Sequence, residues 1–106
     1  GGGVTSFRFA PDGTITAAYP ICVGTSMNCA GGKTPWGTWL TCEEYDGGIV
    51  WECDPATPYS AVPRPELGAF SHEAAAVATD GRVYLTEDRP DGGFYRFTPS
   101  GAAHDL

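Results

Sequence analysis

Residues able to do chemistry fall into three clusters of this 106-residue chain. The first is Asn28–Glu44, NCAGGKTPWGTWLTCEE, with Cys29 at one end and Cys42, Glu43 and Glu44 at the other. The second is Ser71-His72-Glu73, and the third is Glu87-Asp88-Arg89. Carboxylates grouped in this way suit Ca²⁺ or Mg²⁺, and with a thiolate or imidazole also iron or zinc. An arginine beside metal ligands suits bidentate recognition of phosphate oxygens. The candidate metal ligands are therefore Cys29, Glu43, Glu44, Glu73, Glu87 and Asp88, and the candidate oxyanion-binding group is Arg89.

Each has a plainer reading. Cys29 lies beside Gly31-Gly32, which would let backbone approach a metal or anion. It is also placed to close a disulfide with Cys22. Glu43 and Glu44 are neighbours on a strand and point to opposite faces. At most one of them faces a site, and Glu44, further toward the loop, is the favoured one. Glu73 leads into Ala-Ala-Ala-Val and needs a partner if buried, which a cation would supply. His72 reads as a ligand, a proton carrier or a satisfied polar residue. No G-x-S-x-G supports a triad built on Ser71 and His72. Arg89 reads first as a surface ion pair, and Trp36, Trp39, Trp51 and the aromatics of Phe94–Phe97 read as core.

The elements that position these groups are β-strands. Fifteen glycines and nine prolines imply many turns, and short apolar runs between them point to an all-β chain. Residues 4–10 and 14–19 read as a hairpin around Pro11-Asp12-Gly13. Residues 20–33 read as a long loop. Residues 36–43 and 49–53 read as the next strands. Four prolines in 54–67 leave loop with one edge strand. Residues 73–79, 82–87 and 94–98 read as three more strands, and 100–106 as a turn and a ragged end.

Charge sets limits on partners. Six basic and thirteen acidic residues give a net charge of −7, which argues against nucleic acid and anionic membrane. No run of apolar residues is long enough to span a bilayer as a helix. The four cysteines, Cys22, Cys29, Cys42 and Cys53, lack a CxxC zinc pattern and allow three pairings. The chain opens on Gly-Gly-Gly without methionine, and we expect it to be a piece of a longer protein.

A repeat is visible. A shift of about forty-five residues lays Trp39-Leu40-Thr41 on Tyr84-Leu85-Thr86 and Asp46-Gly47-Gly48 on Asp91-Gly92-Gly93. Phe7-Arg8-Phe9-x-Pro11-x-Gly13 is echoed by Tyr95-Arg96-Phe97-x-Pro99-x-Gly101. A period in the forties with about four short strands predicts β-propeller blades. The expected fold is a propeller segment of about two blades with long Gly/Pro-rich loops, one partial domain over 1–106. Its blade elements are expected at about 1–20, 36–67 and 71–100. Two blades do not close a ring of the usual ~4–8, which again implies a fragment. Glu43-Glu44 and Glu87-Asp88 end corresponding strands and are expected on one rim.

Three blocks, Asn28–Glu44, Ser71–Val77 (SHEAAAV) and Gly81–Phe97 (GRVYLTEDRPDGGFYRF), together resemble the PhoX-type alkaline phosphatase family. The resemblance implies a bacterial β-propeller, exported by the twin-arginine route to the periplasm or beyond. It implies hydrolysis of small phosphate monoesters at a cluster of Fe³⁺ and Ca²⁺, by a protein expected to be a monomer at full length. By motif, Cys29 matches the iron-bridging cysteine, and Glu44 and Glu73 match metal-holding carboxylates. Glu43, Glu87, Asp88 and Arg89 are further candidates. A bridging Cys29 must stay free, which removes a Cys22–Cys29 bond and leaves Cys42–Cys53, on adjacent strands, as the favoured pair. The competing function is a non-catalytic propeller segment that binds calcium or a partner and carries structural disulfides.

Overall fold

A computed structural model describes residues 1–106 as nine strands in three antiparallel sheets. The first sheet is the hairpin β1 (Gly3–Phe9) and β2 (Ile15–Val23). The second runs β3 (Asn28–Lys33), β4 (Trp39–Glu43), β5 (Val50–Cys53) and β6 (Val62–Arg64). The third runs β7 (His72–Val77), β8 (Val83–Glu87) and β9 (Phe94–Phe97). A single 3-10 turn, Pro65–Leu67, joins the second sheet to the third. The all-β expectation holds.

The second sheet is buried on both faces because its residues alternate. Leu40, Cys42 and Val50 pack with Ala75, Val83 and Leu85 of the third sheet, and Leu67 and Leu106 close this core. Trp51 and Cys53, on the opposite face, pack with Ile21 and Cys22 of the first sheet. Leu106 is thus a core residue, where the sequence suggested a ragged end.

Residues 20–33 are not one long loop, since only 24–27 lie outside strands. They finish β2 and form all of β3. The diglycine explains why so plain a strand fits here. A side chain on Gly32 would overlap the Ala75 carbonyl oxygen of β7, and one on Gly31 the Leu40 carbonyl oxygen. Gly32 lets β3 approach β7 across the seam between the two sheets, and Gly31 lets β3 approach β4 within its own sheet.

The repeat is real, but its period is forty-four. Trp39 pairs with Cys53, and forty-four residues on Val83 pairs with Phe97. Asn28 pairs with Glu43, and His72 with Glu87. The turns repeat too, with Gly37 N donating to Thr34 O (3.2 Å) and Gly81 N to Ala78 O (3.0 Å). A shift of forty-five matches similar letters but puts every side chain on the wrong face. The Phe7-Arg8-Phe9 echo at Tyr95 lies two such periods away, so β1, β5 and β9 are equivalent third strands.

One buried carboxylate ties the outer end of the second sheet. Glu52 accepts from Trp36 Nε1 (2.8 Å), Thr38 Oγ1 (2.5 Å) and Arg64 Nε (2.8 Å), with Arg64 Nη2 at 2.7 Å. Burial raises its pKa, but hydrogen bonds from Thr38 and Trp36 and the Arg64 guanidinium outweigh burial and hold it below the ordinary carboxylate range. A depressed folded pKa stabilises the fold above the ordinary carboxylate range, and the stabilisation is lost as pH falls through the folded value. Glu52→Ala is expected to cost about 2–4 kcal/mol in urea unfolding at neutral pH, because three donors lose their acceptor. The difference from the parent should shrink as pH falls below about 4.

Candidate metal centre

Cys29 and Glu73 sit at equivalent positions of neighbouring sheets, and each projects from a β-bulge. The β3–β4 register shifts between Asn28 and Gly31, so Cys29 and Ala30 together face one residue of β4. The β7–β8 register shifts between His72 and Ala75, leaving Glu73 and Ala74 in the same situation. Bulges re-aim side chains out of the ordinary alternation. Here they turn a thiol and a carboxylate toward each other, with Cys29 Sγ 3.4 Å from Glu73 Oε1.

Glu44 completes the group. Its amide donates to Met27 O (2.9 Å), which carries the β3–β4 pairing one residue past the strand and sets Glu44 on the rim. The ligand atoms of Cys29, Glu44 and Glu73 all lie within 4.8 Å of one another. Cys29 is exposed and the two carboxylates are half-buried. Asn28 steadies the start of β3, donating to Thr41 Oγ1 (3.0 Å) and accepting from Thr25 Oγ1 (2.7 Å). Asn28 and Thr25 were not singled out from sequence. Asn28 shares its repeat position with His72, a signal that only the forty-four-residue period reveals.

The other candidates lie elsewhere. Glu43 points away from Glu44, is buried, and accepts from Ser26 N (2.9 Å) and Ile49 N (3.2 Å). Its repeat mate Glu87 accepts from Gly93 N (3.0 Å) and Tyr95 Oη (3.0 Å). Both hold the turn that follows their strand. Asp88 is the repeat mate of Glu44, its amide donating to Ser71 O (2.9 Å), and it is exposed. Arg89 pairs with Asp46 across the two sheets and lies 3.6 Å from Glu87. His72 is fully buried, stacks on Phe70 at 3.7 Å and has Nε2 3.0 Å from Gly68 O. Burial, the largest influence, pushes its pKa down and disfavours the charged form.

Electrostatics favour a cation among the three groups. The carboxylates of Glu44 first and Glu73 second push the Cys29 thiol up to about 11. Glu44 has the larger influence, although the hydrogen bond with good geometry runs to Glu73. Three acceptors this close repel once ionised, and a cation relieves all three. The donor set, one sulfur and two carboxylates, suits a transition metal such as iron or zinc better than calcium alone.

A direct consequence can be measured without metal. Glu44→Gln together with Glu73→Gln removes both negative charges, so the Cys29 pKa falls and more thiolate forms at pH 8. Alkylation of Cys29 by iodoacetamide is expected to speed up roughly tenfold, the gain in thiolate being offset in part by lower nucleophilicity. An unchanged rate would mean that these carboxylates do not face the thiol.

The fold and this group define a repeated all-β chain that gathers a thiol and carboxylates on one rim. The family model described as alkaline phosphatase PhoX matches residues 6–48 and 45–105, and the chain belongs to that family. Comparison with curated proteins and with solved structures returned no match.

Proposed function

We propose that this chain is a segment of a metal-dependent phosphatase that hydrolyses small phosphate monoesters. The observation that carries the reading is the convergence of Cys29, Glu44 and Glu73 in a member of the alkaline phosphatase PhoX family. In this reading the three residues hold Fe³⁺, and Ca²⁺ binds at neighbouring carboxylates of the same rim, Asp88 among them. Bound cations would polarise the phosphoryl oxygens and offset charge developing on them. The chain's own part is to fix the ligands. The two bulges aim Cys29 and Glu73, and the extra β3–β4 hydrogen bond holds Glu44. Glu43 and Glu87 then serve as turn-holding residues flanking the site. Arg89 would reach a phosphate only by exchanging Asp46 for it.

The three sheets are, in this reading, successive blades of a propeller. They comprise the last two strands of one blade, four strands of the next and three of a third. The forty-four-residue register and the two apolar seams between sheets support this. Further blades would come from a longer protein, active as a monomer and exported by the twin-arginine route to the periplasm or outside the cell.

The test is hydrolysis of p-nitrophenyl phosphate by the longer protein before and after exhaustive chelation. Activity should disappear with the metals and return when iron and calcium are restored together. Activity that survives complete metal removal would rule the proposal out.

A further inference from the structure

Two buried thiols have no part in the metal centre. Cys22 lies on β2 and Cys53 at the end of β5, 1% and 0% exposed respectively. With Ile21 they form the small core between the first and second sheets. Three contacts lock the two strands' surroundings together. Tyr59 N donates to Pro20 O (3.0 Å), Ala61 N donates to Ile21 O (3.1 Å), and Tyr19 Oη donates to Pro55 O (2.8 Å). These bonds precede Cys22 on one strand and follow Cys53 on the other, so each thiol is presented from tethered backbone. Burial, and after it the nearness of Cys22, push the Cys53 thiol up to about 12.

The pairing suggested by adjacency of strands is excluded by parity. Cys42 pairs with Val50, and Cys53 lies three residues beyond Val50, so the two side chains leave opposite faces of the second sheet. Cys42 faces the third sheet and Cys53 the first. Cys29 stands on the exposed rim with Glu73. Of the four thiols, only Cys22 and Cys53 share one cluster.

We propose that Cys22 and Cys53 are a cross-linking site, forming a disulfide that fastens the first sheet to the second and leaves Cys29 and Cys42 as free thiols. The step is a thiol–disulfide exchange with a disulfide donor such as oxidised glutathione. The thiolate of one cysteine attacks the donor, releasing one thiol and forming a mixed disulfide. The second thiolate attacks that mixed disulfide at the protein sulfur, releasing the second thiol. The two protons lost by the cysteines end on the two released thiols. Both thiols are buried, so exchange occurs during folding or when the terminal hairpin opens locally. The bond removes the one nearby competitor for Cys29 in sequence. The inference rests on packing and parity alone, and stands whether or not Cys29 binds metal.

The experiment equilibrates the longer protein with oxidised and reduced glutathione, quenches exchange with acid, alkylates free thiols with iodoacetamide in guanidinium chloride so that buried thiols are reached, and maps the peptides without reduction. Cleavage at Met27 separates Cys22 from Cys29, and cleavage after Glu44 or Glu52 separates Cys42 from Cys53. The expected product is a Cys22–Cys53 linked peptide, with alkylation lost at those two cysteines and retained at Cys29 and Cys42. The oxidised chain should also unfold roughly 10 °C higher than the reduced one, a shift that dithiothreitol abolishes. An unfolded chain favours the shortest loop, Cys22–Cys29. A dominant Cys22–Cys29 or Cys42–Cys53 link, full alkylation of Cys22 and Cys53, or an unchanged midpoint would each overturn the proposal.

Discussion

Cys29→Ser in the longer protein is expected to remove bound iron and phosphatase activity together. Serine keeps the size of the side chain but replaces a soft, readily metallated thiolate with a hydroxyl of far higher pKa. Cys29 is also the only sulfur in the group, the other two ligands being the Glu44 and Glu73 carboxylates. A catalytic cation contributes several kcal/mol to the transition state, so the rate of p-nitrophenyl phosphate hydrolysis should fall on the order of a thousandfold. Glu43→Gln is the informative control. Glu43 accepts from the Ser26 and Ile49 amides rather than facing Cys29, so this change should lower stability while leaving iron content near that of the parent. If the two variants lost metal to the same extent, a general loosening of the rim would account for both.

The second large effect is structural and lies at Gly32. Its position against the Ala75 carbonyl oxygen leaves no room for a side chain, and the obstacle is strand backbone that cannot rotate away. Gly32→Val should force β3 from β7 and cost about 3 kcal/mol or more, toward the severe end of overpacking effects. The same displacement carries Glu73 away from Cys29, so cation affinity should fall with stability. Gly37→Ala provides the contrast. Gly37 has open space around it but a φ of +92°, so the cost there is conformational, about 1 kcal/mol, with no effect on the metal group. Equal losses at the two positions would show that crowding at the seam is not what Gly32 relieves.

Much of the fold was legible because strand alternation and turn residues agree along most of the chain. The strands around Leu40, Val50, Leu85 and Phe97 emerge close to where Gly, Pro and Asp bracket them. Residues 28–33 were not legible as a strand. NCAGGK has no β-branched residue, and its strand exists through pairing with β4 and the close approach of Gly32 to the β7 backbone. Letter matching slipped the repeat by one residue because Leu-Thr recurs at forty-five, while hydrogen bonding fixes the register at forty-four. That single residue is what makes Cys29 the repeat mate of Glu73 and Glu44 that of Asp88.

The candidate site divides along the same line. Alternation alone separates Glu44 from Glu43, because adjacent strand residues face opposite ways. The approach of Glu73 to Cys29 depends on two bulges and on the packing of two sheets, neither of which leaves a local pattern. The cysteine pairing failed for a comparable reason. Adjacent strands do not bring two cysteines together unless both point to the same face, and Cys42 and Cys53 do not.

The central claim is that the Cys29 sulfur, with Glu44 and Glu73, binds the catalytic iron. X-ray absorption at the iron edge tests it directly on the metal-loaded longer protein, compared with Cys29→Ser. The account predicts a sulfur scatterer in the first shell of the parent that is absent from the variant. A first shell of oxygen and nitrogen alone in fully active parent protein would contradict it.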